Sequence, residues 1–191
     1  MKLLNALAHP IIIFVLCIPL IKIPDNVPQI VVWATFCSWA LYFLLGANWK
    51  AGLWGGLCFV IGEICAIFII VQFLATIPVL GGGPAGWALM IAVGLWAALM
   101  VLLAEQVKQI GAVPAYFIGA GLYFAVYFAW WPAQTFTVAG DYITPLIYLA
   151  VSMAFGFFMG WLTILLYGWW ANFSKRFEAP APVVAKAPTT N

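Results

Sequence analysis

The sequence predicts an all-α, polytopic membrane protein with six transmembrane helices. Three observations carry that expectation. Only 6% of the 191 residues are charged while 67% are hydrophobic, whereas a soluble domain carries about 25% charged residues. A soluble fold of this length would lack the polar surface to cover itself; lipid needs none. Apolar runs recur, several of them long enough at ~1.5 Å per residue to cross a hydrocarbon layer of ~30 Å. Finally, Pro, Gly, Asn and the few charges gather between those runs, where turns belong.

In chain order the expected spans are 8–21, 29–46, 51–73, 86–104, 113–131 and 143–170, forming one transmembrane domain over 1–171. The first is short, with Pro10 in its opening turn, where a missing N–H does no harm, and Pro19 interrupting it. Lys2 and the apolar run after it imitate a signal peptide. No small-residue cleavage site follows, so this segment is expected to remain as the first helix. Pro24, Asp25, Asn26 and Pro28 form a loop, and Ala47–Lys50 a tight turn. Pro78 and Gly81-Gly82-Gly83-Pro84 are expected to break the chain between the third and fourth spans. Glu105, Gln106, Lys108 and Gln109 make a polar turn, and Asp141 is placed to cap the sixth span. That last span is long enough to be strongly tilted or to continue beyond the bilayer. The Ala-Pro-rich stretch 172–191 holds nothing that buries a core and is expected to be a disordered cytoplasmic tail.

Six spans put both termini on one side. With the termini inside, Lys2, Lys50, Lys108, Lys175, Arg176 and Lys186 fall on the inner side and only Lys22 on the outer. The positive-inside rule therefore selects cytoplasmic termini. Tryptophans at span ends, among them Trp49, Trp87, Trp130, Trp131, Trp169 and Trp170, fit interfacial belts.

Glu63 is the one charge in the third span and sits near the middle of the hydrocarbon. A carboxylate there costs about 2.5–3.5 kcal/mol unless it is neutral, paired or wet. Two readings follow: a proton or cation relay lining a solute path, or a structural hydrogen bond to Ser38, Tyr42, Ser152 or Thr163. Gln72 lies on the opposite side of that helix and is expected at an interface. Gly52, Gly56 and Gly62, with Gly156 and Gly160 in the sixth span, are small residues spaced for close helix approach, within the bundle or in a dimer. Residues 36–43 and 117–124 share Phe, Leu, Tyr and Phe in register at an offset of 81. Three spans per unit would make the halves opposite in orientation, a 3+3 inverted repeat.

Other functions lack their residues. A net charge of +2 with no basic run gives nucleic acid no footing. Cys17, Cys37, Cys58 and Cys65 all lie in apolar spans, without the spacing of a zinc site or a disulfide framework, and read as buried, inert thiols. The single histidine, His9, has no acidic partner nearby, and Gly81-Gly82-Gly83 lacks the Lys-Ser/Thr of a phosphate loop. No enzyme, metal or cofactor is expected.

The block Val113-Pro-Ala-Tyr-Phe-Ile-Gly-Ala120, then Pro145-Leu-Ile-Tyr-Leu-Ala150 and Gly156-Phe-Phe-Met-Gly160, resembles the DUF1097 family of bacterial inner-membrane proteins. The turn between Gly46 and Gly52 is similar too, and the likeness covers roughly residues 30 to 170. It implies an inner-membrane location but assigns no activity, so no site residue comes from it. The residues themselves favour a small-solute transporter or channel with a midplane site of Glu63, Tyr123, Gly119 and Gly121. The alternative is an accessory or scaffold subunit, as part of a homo-oligomer or membrane complex, that moves nothing.

Overall fold

The computed structural model describes residues 2–23, 27, 30–81, 86–128 and 141–176. Among them are six α-helices and no strand: α1 (Lys2–Lys22), α2 (Val32–Leu44), α3 (Trp49–Leu80), α4 (Trp87–Gln106), α5 (Val113–Tyr127) and α6 (Ile143–Lys175), with a short 3-10 turn at Lys108–Ile110 before α5. Three of them, α3, α4 and α6, are long and apolar enough to cross a membrane. Large apolar side chains such as Leu53, Phe68, Leu89 and Leu165 face outward along them, as lipid-facing surfaces require. The chain is an all-helical membrane protein.

Several boundaries differ from the sequence expectation. α1 is continuous through both Pro10 and Pro19. Each proline removes one ladder hydrogen bond, but the packing of Leu16 and Leu20 against Trp39 and Met159 holds the helix together across them. α3 likewise runs through Pro78 and stops at Gly81, whose φ of +77° favours glycine and whose N–H donates to the Ile77 carbonyl. α2 and α5 are shorter than the expected spans. α2 begins only after the extended Val31 and ends in a turn where Gly46 (φ +90°) and Ala47 (φ +54°) are left-handed. α6 continues to Lys175, past the boundary expected at 171, and Ser174 Oγ donates to the Ala171 carbonyl in its last turn. The loop around Asp25, Gly82–Pro84, Trp130 and Trp131, and 177–191 lie outside the described residues.

Local chemistry explains the helix starts. Asn48 accepts from Ala51 N–H at 2.9 Å to begin α3. Asp141 begins α6 as expected, its Oδ1 accepting from Ile143 and Thr144 N–H at 3.2 and 3.0 Å. Hydrogen bonds from the Thr144 side chain and backbone hold the Asp141 carboxyl below its usual range. α2 has no cap of its own; Ser152 of α6 accepts the Val31 N–H at 2.8 Å instead.

The helices pair across the chain rather than along it. α5 lies on α3 and α2 lies on α6, the two most extensive contacts, while α4 flanks α3 and α1 flanks α6. In both principal pairs the helices run in the same direction: Gly156 sits beside Thr35–Trp39 and Gly160 beside Tyr42, while Tyr116 lies near Cys58 and, further along both helices, Phe124 and Phe128 share a cavity wall with Ile69, Ile70 and Phe73. Small residues set both crossings. A methyl on Gly62 would strike the Tyr116 carbonyl, one on Gly119 the Phe59 carbonyl, and one on Gly156 the Thr35 carbonyl. Around these crossings the main core gathers Phe59, Leu41, Tyr116, Tyr123 and Leu149.

Candidate functional site

Glu63 follows Gly62 directly and so stands at the α3–α5 crossing. It is fully buried, and neither carboxyl oxygen has a hydrogen-bond partner among the described residues. The hydroxyls proposed from the sequence as partners are engaged elsewhere. Ser38, Ser152 and Thr163 donate to the carbonyls of Ala34, Tyr148 and Met159, each one turn back in its own helix. Apolar spans leave such hydroxyls no water, and the i−4 carbonyl is the nearest acceptor. Tyr42 packs its ring toward Gly52 and Gly160.

Tyr123 of α5 is buried and close enough to Glu63, Tyr127 and Tyr142 to interact with them electrostatically. Its hydroxyl donates to the Tyr142 carbonyl at 2.8 Å, and Tyr127 stacks between the Tyr123 and Tyr142 rings at 5.9 and 5.5 Å. This ladder ties α5 to the start of α6 on the side of the Asp141 cap.

The other expected site residues separate into different roles. Gly119 does not line a space; it lets α5 touch the backbone of Phe59. Gly121 does not join Glu63 at all. It opens outward with nothing near its Cα hydrogen, lining a cavity of about 540 Å³ between α2 and α5 with Cys37, Leu44 and Phe117. Two residues of separation on a helix are about 200° apart, so Gly119 and Gly121 cannot serve one face. Gly62 and Gly156 lie against the backbone of a neighbouring helix, and Gly160 against the Tyr42 ring. The thiols are free, but only Cys58 and Cys65 are buried; Cys37 is exposed on α2.

Gly52 and Gly56 do something the spacing did not foretell. They hollow the α3 wall of a cavity of about 640 Å³ whose other wall is Met153, Phe157 and Trp161 of α6. Trp49 stands beside it at the start of α3, with the Lys50 ammonium 5.7 Å from its ring centre. Val60 is the last α3 residue in its lining. Gly52, Gly56, Val60 and Glu63 follow one another at steps of four, four and three, so they share a face of α3, and Glu63 stands one turn past the cavity. Met153, Phe157 and Trp161 recur every four residues, which marks a helix stripe but not whether it meets a neighbour, lipid or a cavity.

Gln72 has a partner that the sequence did not announce: its Oε1 accepts from Trp96 Nε1 at 2.8 Å, and Phe68 stacks on the Trp96 ring at 5.0 Å. These contacts join α4 to α3.

Among curated proteins and solved structures, none matches the chain. A family model does, over residues 6–163, and its description is a protein of unknown function, DUF1097. The match spans all six helices from α1 into α6, including Glu63 and both glycine crossings, and the chain belongs to this DUF1097 family.

Proposed function

We propose that this protein is a small-solute carrier of the bacterial inner membrane, with six spans, cytoplasmic termini and a midplane site built on Glu63 and Tyr123. The observation that carries the reading is the buried Glu63 carboxyl with no hydrogen bond to either oxygen. Such a group is costly in hydrocarbon and is retained in membrane proteins chiefly along ion and substrate paths. A cavity that opens beside Trp49 and ends one turn short of Glu63 supports a path toward it.

Internal symmetry supports alternating access. α5 meets α3 as α2 meets α6, and α4 flanks α3 as α1 flanks α6. The offset of 81 maps Thr35, Ser38 and Tyr42 of α2 onto Tyr116, Gly119 and Tyr123 of α5, and the first two pairs stand at the two crossings. A second offset, 94, maps Gly62-xxx-Ala66 of α3 onto Gly156-xxx-Gly160 of α6. Under it Val60 and Ala154, both in the cavity wall, are each other's counterpart. Phe157, in that wall, corresponds to Glu63, while Gly52 and Gly56 correspond to Leu146 and Ala150. The space equivalent to the open cavity is therefore the one around Glu63 and Tyr123, closed here by larger side chains. In a 3+3 inverted repeat, exchanging the conformations of the halves closes the first space and opens the second to the other side.

The scaffold reading has one observation in its favour: Glu63 lies in the wall of neither the α3–α6 nor the α2–α5 cavity. A solute-uptake screen with the purified chain in liposomes, with and without a pH gradient, separates the two. The carrier reading expects saturable uptake of at least one solute and its loss in a Glu63→Gln variant that melts like the wild type. Uptake no faster than in protein-free liposomes across the panel, with Glu63→Gln indistinguishable from wild type, would leave the scaffold.

A further inference from the structure

The cavity between α3 and α6 is walled by rings. Tyr42, Trp49, Phe157, Phe158 and Trp161 contribute to its lining, and Gly52 and Gly56 make room between them. Its volume of about 640 Å³ lies within the range of pockets that hold drug-sized molecules. An occupant must have an apolar or aromatic body. Glu63 stands one turn beyond on the same helix face, and the Lys50 ammonium lies at the other end, 5.7 Å from the Trp49 ring.

The surroundings of Glu63 bring it no cation. α4 carries only Glu105, near its C-terminal end; α5 carries no charged residue; α6 carries only Lys175, in its last turn; α2 carries none. The Tyr123 phenol of α5 is close enough to interact with it electrostatically; the Cys58 and Cys65 thiols, five and two residues away, lie near the opposite side of α3 with the Tyr116 phenol, and Tyr42 of α2 lies against Gly52. None of these is positive. The one cation of α3 itself, Lys50, stands thirteen residues back, about 20 Å at ~1.5 Å per residue. Among the described residues, then, no cation is placed to balance the Glu63 carboxylate, a positive ligand could, and aromatic faces attract the same charge through their quadrupoles.

We infer that the site takes a lipophilic organic cation, one positive charge within an aromatic or apolar body, in exchange for a proton. The inference rests on the carrier reading above and names its substrate class. The Glu63 carboxylic acid gives its proton to water at the open side, and the cation replaces it at the carboxylate. On the opposite side a proton enters the carboxylate and the cation leaves. One positive charge replaces another, so the buried site is neutral in both forms. A neutral amphiphile would use the rings and leave the acid untouched, an anion would meet only repulsion, and a lipid chain would fill the cavity without reference to Glu63.

The test uses the purified full chain in detergent with tetraphenylphosphonium, and tetraphenylborate as an anion of nearly the same shape. Binding is measured by equilibrium dialysis, and proton release by an indicator dye in weak buffer. The expected result is preferential cation binding with about one proton released per cation bound, weakening as pH falls. Glu63→Gln should abolish the release and weaken binding at least tenfold; Trp161→Ala should weaken binding yet keep the release. Proton release by the wild type stands as evidence even if a variant fails to fold. Tetraphenylborate bound as tightly, cation binding without proton release, or cation binding unchanged in Glu63→Gln would overturn the inference. So would a phosphatidylglycerol with short chains occupying the cavity equally in wild type and Glu63→Gln while the cation does not bind. Liposomes that move only a neutral or anionic solute would sink the substrate class and keep the carrier. Proton-coupled cation binding with no movement in liposomes would do the reverse.

Discussion

Replacing Gly62 by Ala tests whether close backbone contact holds the bundle together. The added Cβ would lie 2.8 and 2.9 Å from the Tyr116 carbonyl carbon and Cα, with the carbonyl oxygen closer still. Carbon atoms pack best at about 3.5–4.0 Å, and a gap of 0.5–1 Å forfeits a quarter to a half of each contact. These neighbours are backbone, so the remedy is to move α3 and α5 apart by roughly 1 Å. Overpacking of this sort costs about 1–3 kcal/mol, and the better helix propensity of Ala returns up to about 1 kcal/mol. The net expectation is a loss of about 1–2 kcal/mol. Gly121→Ala is the internal control, because nothing lies within 4 Å of its added carbon. It keeps the propensity gain and should be neutral or slightly stabilising. A gap of about 2 kcal/mol between the variants is roughly thirtyfold in the folding constant. Titration of the purified protein from mild detergent into dodecyl sulfate, followed by tryptophan fluorescence, resolves it. If Gly62→Ala unfolds with the wild type, or Gly121→Ala loses as much as Gly62→Ala, the close-approach argument is wrong.

Two further outcomes follow from other contacts. Gln72→Leu removes the acceptor of Trp96 Nε1 and should cost about 0.5–1.5 kcal/mol, with a change in Trp96 emission; an unaltered spectrum in a background lacking the other tryptophans near α4 would contradict it. Asp141 is held below its ordinary value by its bonds to Thr144 and Ile143. A depressed folded value means that its contribution is present above the unfolded value and is lost as pH falls through the folded one. Amide exchange at the start of α6 should therefore accelerate only below about pH 3.8, and Asp141→Ala should exchange fast at every pH. Equal protection of that turn in wild type and variant at pH 7 would rule the cap out.

The helical class was legible because composition alone forces it, and the Asp141 cap because capping is a local matter of side-chain reach. Gly62, Gly156 and Gly160 could be picked out as small residues at helix spacing, but the neighbours they meet could not. α3 and α5 are apolar on nearly every face, so periodicity cannot say which side meets a helix and which meets lipid. That is why Gly121 was grouped with Gly119, and why nothing announced that Gly52 and Gly56, packed against Tyr42, Met153 and Phe157, also border a cavity. Pro19 and Pro78 were weighed as breakers on local grounds, yet a long helix embedded among others tolerates one missing hydrogen bond. Gln72 was judged by its position relative to Glu63, when what mattered was an indole on α4 that no local pattern announces.

The cross-chain pairing also has a consequence in time. α3 packs on α5, and α2 on α6, so neither helix meets its principal partner until much more of the chain has been made. Roughly 55 residues separate Gly62 from the Tyr116 it will touch, and roughly 120 separate Ser38 from Gly156. At about 5–20 residues per second, α3 waits several seconds, and α2 up to about twenty. During that interval Glu63 and the glycine face of α3 have no protein to shield them. Whatever admits the helices into the bilayer must therefore hold α2 and α3 back from the open lipid, or cover them, until the second half of the chain arrives.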